Sequence, residues 1–437
     1  IMAGAVPGIY EGRIPALVKH TLLKNYLEKL VLIIGMNGRK TGNAEICYVD
    51  CFAGPWGSDD EDLDGTSIAL SLKTLAACKA ELAKRGVDAR MRALYIEKDK
   101  GAFKKLSKFL AERATSEVEH DCRNGDFVDL RDDILNWCGT TAFTFFFVDP
   151  KGWTPIVIDV MEPLLKRPRS EFLINFIYDF INRTMSIPAF EADMRKLLRR
   201  SVDVEGMSPS EREKTLLGAY RDGLKSCVPA GRGEFRARTA YVGVMHPSQE
   251  RTKYHLVYLT SHHTGVVEFM EISEKVDIVQ ARVRAATKLE QKEKASGMGD
   301  FFADEAVPES GEGRSSPDDV DAFWRDYLSG GERRVDKAVF ADILEDTDWF
   351  PNELHASLLR LIKAGIVVNL DDATSKRRSK PPRRANPASS TPIRPVPRPS
   401  VSARAKTVPP SPSSSRIRTT RSKAVWSTPA ARCGIAS

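Results

Sequence analysis

Residues 46–57 read ICYVDCFAGPWG, and this stretch decides the fold of the chain. Its first half is a short apolar run that ends in Asp50, which is typical of a buried parallel strand. Its second half contains two glycines and a proline, so the strand cannot continue there. The run DGTSIALSL at 64–72 then predicts a helix with Thr66 or Ser67 as its N-cap. A strand, a glycine-bearing turn and a helix form the first unit of a doubly wound α/β sheet, which binds ligands beyond the carboxyl ends of its strands. An ordinary tight turn between a strand and a helix is the alternative.

A second apolar run also ends in an acid. The strand predicted at 91–97 ends in Glu97, where a nucleotide-binding sheet places the carboxylate that accepts ribose hydroxyls. Glu97 lies 43 residues after Gly54, against about 20 in a dinucleotide fingerprint, so an NAD site is disfavoured. The run RNGDF at 123–127 is typical of a loop, and it places Asp126 where an adenine amine would need an acceptor.

The run TAFTFFFVDPKGW at 141–153 is the most strongly β-forming part of the chain. It predicts a central strand buried on both faces, followed by Asp149, Pro150 and, after a lysine and a glycine, Trp153. Further apolar strands are predicted at 171–177, ending near Asn175 to Asp179, and at 254–261. Strands that alternate with helices in this way predict an α/β fold with a parallel sheet.

The helix predicted at 18–30 precedes the first strand and carries an apolar stripe. His20 lies at its start, where it can face the ligand pocket. A surface or capping histidine is the alternative interpretation.

The chain of 437 residues is long enough for two or three domains. We assign 1–296 to the core, with a helical insertion at about 184–236, and 297–319 to a glycine- and acid-rich linker. Residues 320–371 predict helices and a short strand in the order of a winged helix. Residues 372–437 form a tail rich in Pro, Ser, Arg and Lys, which we expect to be disordered.

The charge of the chain is unevenly distributed. The net charge is +7, but the residues from Ala373 onward contribute +15, with no acidic residue, so residues 1–372 carry −8. A cation-rich tail can neutralise phosphates without reading sequence. A solubilising extension without such a partner is the alternative.

The seven cysteines are scattered, odd in number and without a CxxC pair. A disulfide framework is therefore not expected, and a reducing compartment such as the cytoplasm fits. Cys47 and Cys51 flank the central turn, but two thiols without further soft ligands do not predict a metal site. No stretch approaches the length of apolar residues that a membrane span needs, so we expect no membrane association.

Taken in order, the glycine turn, Glu97, Asp126 and Asp149-Pro150 resemble the motifs of class I methyltransferases that use S-adenosylmethionine. The segments YVDCFAGPWG, GTSIAL, LYIEKD, FFFVDPKGW and EFLINFIYDFINR further resemble the three-Cys-motif partner proteins. The leading VKHTLLKNYL is similar to the opening of bacterial ribosomal RNA adenine methyltransferases. The resemblance covers about residues 15–370 and implies a Rossmann-like methyltransferase core that works beside a protein with three cysteines.

The resemblance also implies where S-adenosylmethionine binds. Asp50, Gly54 and Gly57 would line its methionine part, Glu97 would hold its ribose and Asp126 its adenine. His20 and Phe52 complete the candidate cofactor site.

Asp149, Pro150 and Trp153 are the candidate catalytic residues. Methylating an amine requires an acceptor for its N–H and a backbone carbonyl beside it, and an Asp-Pro-Pro-aromatic loop supplies both in adenine methyltransferases, with the aromatic ring stacked on the base. This chain has Lys151 where the second proline is expected, and its aromatic residue comes one position later. Asp149 as a purely structural strand-end carboxylate is the alternative.

These patterns favour a methyltransferase that acts on an amine of RNA or DNA, with the winged helix and the basic tail as binding aids. The alternative is a catalytically weak cofactor-binding module that regulates a three-cysteine-motif protein. A third hypothesis makes that partner protein itself the methyl acceptor.

Overall fold

The computed structural model describes residue 10 and the ranges 12–41, 44–54, 65–113, 115–231, 235–296, 311–370 and 401–405. Gly57, most of the predicted linker and most of the basic tail lie outside these residues. The helices are α1 (Ile14–Thr41), α2 (Ser67–Lys84), α3 (Lys100–Arg113), α4 (Arg131–Cys138), α5 (Ile158–Leu165), α6 (Tyr178–Thr184), α7 (Glu191–Leu198), α8 (Pro209–Cys227), α9 (His263–Ser296), α10 (Pro317–Ser329), α11 (Lys337–Thr347) and α12 (Pro351–Lys363). The strands are β1 (Ala44–Asp50), β2 (Ala89–Glu97), β3 (Glu119–Asn124), β4 (Phe143–Val148), β5 (Ser170–Phe176), β6 (Arg238–Met245), β7 (Thr252–Thr260), β8 (Arg333–Val335), β9 (Val367–Asn369) and β10 (Val401–Ala405).

Seven of these strands form one mixed sheet in the order β3-β2-β1-β4-β5-β7-β6. Strands β1 to β5 run parallel to one another, and β7 runs antiparallel to both β5 and β6. The chain builds outward from β1 to β3 and then crosses back to place β4 on the other side of β1. The strand order therefore reverses between β1 and β4, which is the switch point where doubly wound sheets hold ligands. The predicted Rossmann-like α/β fold is confirmed.

Helices cover both faces of the sheet. In β4, Phe145 and Phe147 pack into one hydrophobic cluster with α1, α2 and α9, whereas Phe146 and Val148 pack into a second cluster with α5 and α8. Successive side chains of a strand point to opposite faces. A strand that is apolar at every position must therefore be buried on both sides.

The predicted insertion at about 184–236 contains α7 and α8. Ser208 caps α8 by accepting a hydrogen bond from the Glu211 N–H at 3.3 Å. The Tyr220 hydroxyl of the same helix is buried and donates to the Ile156 carbonyl at 2.9 Å. Both helices therefore belong to the layer that covers the second face of the sheet.

Two strands of the sheet were not predicted from the sequence. β3 reads EHDCRN and lies at the edge of the sheet, where exposed polar side chains replace the apolar run that marks a buried strand. β6 contains Gly243, which weakens the β-forming pattern. β6 is recognisable only through its antiparallel pairing with β7.

The C-terminal residues form a small unit of α10, β8, α11, α12, β9 and β10. Its α10 begins at Pro317, inside the predicted linker, with Ser316 as the N-cap. Its sheet has the order β8-β10-β9, and β10 is antiparallel to both neighbours. Because β10 comes from the tail, the expectation of disorder is wrong for residues 401–405, where backbone pairing with two short strands orders the chain. The boundary predicted at 371 correspondingly omits one strand of this sheet.

The small unit packs tightly against the core through α11 and β6. Glu345 of α11 is buried and accepts hydrogen bonds at 3.0 Å from the Thr239 N–H and from Arg236. Arg221 of α8 donates to Asp348 at 2.7 Å. These contacts join α8, β6 and the loop before β6 to α11 and its C-cap residue.

The six cysteines within the described residues are all free thiols, and five of them are buried. In the same ranges, no helix combines the length and the apolar character needed to cross a membrane.

Candidate active site

Four adjacent parallel strands end in polar side chains that point to the same face of the sheet. Glu97 ends β2, Asp50 ends β1, Asp149 follows β4, and Asn175 lies near the end of β5. The residue two positions before each of them packs into the cluster beneath α1: Tyr95, Tyr48, Phe147 and Leu173. Because alternate residues of a strand share a face, these four polar side chains form a row on the face of the sheet that this cluster covers, which we call the polar row.

A cavity of about 270 Å³ opens at the switch point between β1 and β4. The turn after β1 lines it with Phe52 and Gly54, and the loop after β4 lines it with Asp149 and Pro150. The remaining lining residues within the described ranges come from α1, from the first turn of α2 and from the residues beside them: Arg13, Lys19, His20, Ala53, Gly65, Thr66, Ser67, Ile68 and Lys151.

Asp50 is fully buried beside this cavity. Its carboxylate accepts hydrogen bonds from the Ser67 hydroxyl at 2.6 Å and from the Phe52 N–H at 3.1 Å, so it fixes the turn between β1 and α2. Burial raises the pKa of Asp50 to about 6, against the opposing effect of these two hydrogen bonds. A carboxyl group with that pKa is about half protonated near pH 6.

Asp149 is held from two sides. Its Oδ2 forms an ion pair with the Lys19 ammonium of α1, and its Oδ1 accepts a hydrogen bond from Asn175 Nδ2 at 2.8 Å. Sequence reasoning did not select Lys19 or Asn175. The only signal for Lys19 was its place beside His20 in the leading helix, and Asn175 was only noted at the end of a predicted strand.

His20 lines the cavity and is largely buried. Its Nδ1 lies 3.0 Å from the Tyr10 hydroxyl. Burial, followed by the charge of Lys19, lowers the pKa of His20 to about 4. The imidazole is therefore neutral at pH 7, where it can exchange hydrogen bonds but adds no charge to the site.

Glu97 and Asp126 are not among the residues that line the cavity; Glu97 ends β2, and Asp126 lies two residues after β3. Glu97 accepts a hydrogen bond from the Asp99 N–H at 2.6 Å, and its backbone carbonyl accepts one from Asn124 at 2.9 Å. Asp126 accepts from the Val128 N–H at 2.9 Å and pairs with Lys98 at 2.7 Å, which lowers the pKa of Asp126. Because Lys98 is exposed, releasing it from Asp126 costs under about 1 kcal/mol.

Of the two aromatic residues predicted for the site, only one lines the cavity. Phe52 stays at the cavity, and its ring centroid lies 5.2 Å from that of Phe127. Trp153 instead packs against the hydrophobic cluster on the opposite face of the sheet and is not among the cavity-lining residues. The cavity thus brings together His20, Phe52, Gly54, Asp149 and Pro150, and Asp50 is hydrogen-bonded to two of its lining residues, whereas Glu97 and Asp126 do not line it.

No protein-family model matches the chain, and no curated protein matches it in sequence. Solved structures with a similar arrangement include an O-methyltransferase of tomaymycin synthesis from Streptomyces achromogenes, in complex with S-adenosylmethionine. It is 12% identical, covers 60% of this chain and 92% of its own, and has a TM-score of 0.28. An O-methyltransferase from Bacillus cereus, in complex with S-adenosylhomocysteine, is 12% identical over 53% of this chain and 80% of its own, also with a TM-score of 0.28. A protein from Legionella pneumophila is 9% identical, covers 63% of this chain and 94% of its own, and has a TM-score of 0.33. At such TM-scores the likeness carries no argument about the activity of this chain.

Proposed function

We propose that the protein is an S-adenosylmethionine-dependent methyltransferase whose acceptor is an amine of RNA or DNA. The observation that carries the proposal is the cavity at the switch point, with the polar row beside it. Carboxylates at the ends of two adjacent strands, a glycine-bearing turn and the first turn of a helix are what an adenosine-containing ligand needs in a doubly wound sheet.

The chemistry of these residues fits the cofactor. In this proposal Glu97 accepts hydrogen bonds from the ribose hydroxyls and Asp126 accepts one from the adenine amine. The Phe52 to Gly54 turn and His20 form the wall for the methionine part. When bound, S-adenosylmethionine supplies an electrophilic methyl group.

Asp149 is the residue for the acceptor. Its Oδ2 accepts an N–H of the acceptor amine and so directs the nitrogen lone pair, while the Pro150 backbone lies beside it. Most of the rate enhancement then comes from orientation rather than from acid–base catalysis. The Lys19 ammonium, now on Oδ2, has to give way to the acceptor.

Cations favour nucleic acid as the substrate. Arg13 and Lys151 are exposed and line the cavity, where they can bind phosphates beside an acceptor base. We further propose that the small unit is a winged-helix-like domain and that the basic tail adds sequence-independent affinity. A three-cysteine-motif protein remains a proposed partner, and the cytoplasm the proposed location.

Two variants test the proposal, and both cofactor affinity and methyl transfer are measured on each of them. Glu97→Ala should weaken S-adenosylmethionine binding about tenfold or more in calorimetry, since a hydrogen bond to a charged group contributes about 1.5–3 kcal/mol. Asp149→Asn should keep that affinity within a few fold and yet abolish methyl transfer. Glu112→Ala on the exposed side of α3 serves as the matched control and should change neither quantity.

Methyl transfer is measured with radiolabelled cofactor on single-stranded RNA, single-stranded DNA, duplex DNA and a three-cysteine-motif protein. Transfer to nucleic acid by the wild-type protein supports the proposal. Transfer only to the three-cysteine-motif protein would show that this protein, and not nucleic acid, is the substrate. Cofactor binding without transfer to any of the four would favour the binding-module alternative.

A further inference from the structure

Asn175 makes a single side-chain hydrogen bond within the described residues, and that bond goes to Asp149. It is largely buried, and its Nδ2 donates to Asp149 Oδ1 at 2.8 Å. Its own Oδ1 is buried without a hydrogen-bond partner in those ranges. Buried amides usually satisfy both of their ends, so this amide is not held by a structural network of its own.

The register of the sheet explains why Asn175 meets Asp149. Val148 of β4 pairs with Ile174 of β5, so the next residue on each strand lies side by side at the carboxyl edge. Both side chains point to the face covered by α1. The orientation of the amide is fixed by the carboxylate, because an amide oxygen turned toward it would be repelled.

The two partners of Asp149 differ in how easily they move. Lys19 reaches Oδ2 from a helix at the cavity wall through a long flexible side chain. Asn175 grips Oδ1 from a central strand through a short side chain. Only the Oδ2 side of the carboxylate can therefore be released for a ligand while the other side stays fixed.

We propose that Asn175 is a positioning residue, which holds Asp149 Oδ1 so that Oδ2 faces the cavity for the N–H of the acceptor. This inference rests on the methyl transfer proposed above. The other charged or titratable groups facing Asp149 are Lys19 and His20 of α1, Asp50 of β1 and Tyr254 of β7.

Asn175→Ala removes the hydrogen bond to Asp149 Oδ1. Turnover should fall about 10- to 100-fold, because a small misplacement of a catalytic group has effects of that size. Cofactor affinity should stay within about twofold, since Asn175 lies away from Glu97 and Asp126. Asn182→Ala, which changes another asparagine whose side-chain oxygen is buried without a partner, should keep wild-type turnover. Wild-type turnover in Asn175→Ala would overturn the inference.

The pH dependence of turnover in Asn175→Asp distinguishes a positioning role of Asn175 from a merely structural one. Two carboxylates at hydrogen-bond distance cannot both ionise without repulsion, so they share one proton at low pH and separate as the pH rises. The ratio of variant to wild-type turnover should therefore increase as the pH is lowered from 8 to 5. A ratio independent of pH would contradict the positioning role.

A crystal structure of Asn175→Ala separates this inference from the proposed function. The Asp149 carboxylate should rotate away from its wild-type position whether or not the protein transfers methyl groups. An unchanged carboxylate would overturn the positioning role even in an active enzyme. A rotated carboxylate in a protein without transferase activity would overturn only the proposed function.

Discussion

Asp50 is an acid whose burial opposes its ionisation. Its pKa of about 6 in the folded protein exceeds the value of 3.8 for a free aspartate. The native state therefore binds more protons than the unfolded state between these two values, and the free energy of unfolding decreases as the pH rises through this window. This sign is the reverse of that for a salt-bridged aspartate.

Asp50→Asn should remove that pH dependence. From pH 4 to pH 7 the wild-type protein should lose on the order of 3 kcal/mol of stability relative to the variant, from a shift of about two pKa units at 1.36 kcal/mol each. Urea denaturation of both proteins at several pH values measures the difference. Asp133→Asn on the exposed face of α4 is the control and should track the wild type. A difference between wild type and Asp50→Asn that is the same at every pH would show that burial does not perturb Asp50.

At the scale of elements, α11 and β6 form a charged interface that is buried at Arg238 and Glu345. Arg238 of β6 is buried and pairs with Asp342 of α11, and Arg236 lies 3.0 Å from Glu345. Burying such charges is costly unless each has a partner. The network therefore fixes the small unit on the core as long as it is complete.

Glu345→Ala should destabilise the protein by about 1–3 kcal/mol, because it removes the acceptor of the buried Thr239 N–H. Urea denaturation followed by tryptophan fluorescence measures the change. Asp346→Ala is the matched control: burial and the like charges of Glu345 and Asp342 raise the pKa of Asp346, so its removal should leave stability unchanged or slightly higher. Equal losses in the two variants would mean that the interface does not depend on Glu345.

At the scale of the whole molecule, β10 divides the basic tail. The residues from Ala373 onward carry fifteen cations, and six of these follow Ala405. β10 lies between β8 and β9. The part before it is thus a connection between two strands of one sheet, and the part after it lies outside the described residues.

Two truncations distinguish the contribution of the tail to the fold from the contribution of its charge to RNA binding. Ending the chain after Ala405 should leave the melting temperature unchanged, whereas ending it after Asp372 removes the central strand of the small sheet and should lower it. In RNA binding, the salt dependence should flatten in both, and further in the shorter chain, because fewer counterions are released. Equal melting temperatures would show that β10 is dispensable. Equal salt slopes in all three chains would show that the tail does not contact phosphate.

The sequence by itself determined the central strands and three of the four positions in the polar row. Runs that are apolar at every position have to be buried on both faces, and the carboxylates Asp50, Glu97 and Asp149 mark where such runs end. These signals are local, because burial and strand termination depend on neighbouring residues. For the same reason the edge strand β3, which lacks an apolar run, was not recognised.

Only the tertiary structure decided which groups meet at the site. Lys19 and Asn175 are 130 and 26 residues away from Asp149 in sequence, and their contacts follow from the packing of α1 on the sheet and from the β4–β5 register. The tertiary structure likewise places Trp153 against the opposite hydrophobic cluster and inserts β10 between β8 and β9. Such pairings depend on strand order and on the face that each side chain occupies, which no local pattern of residues encodes.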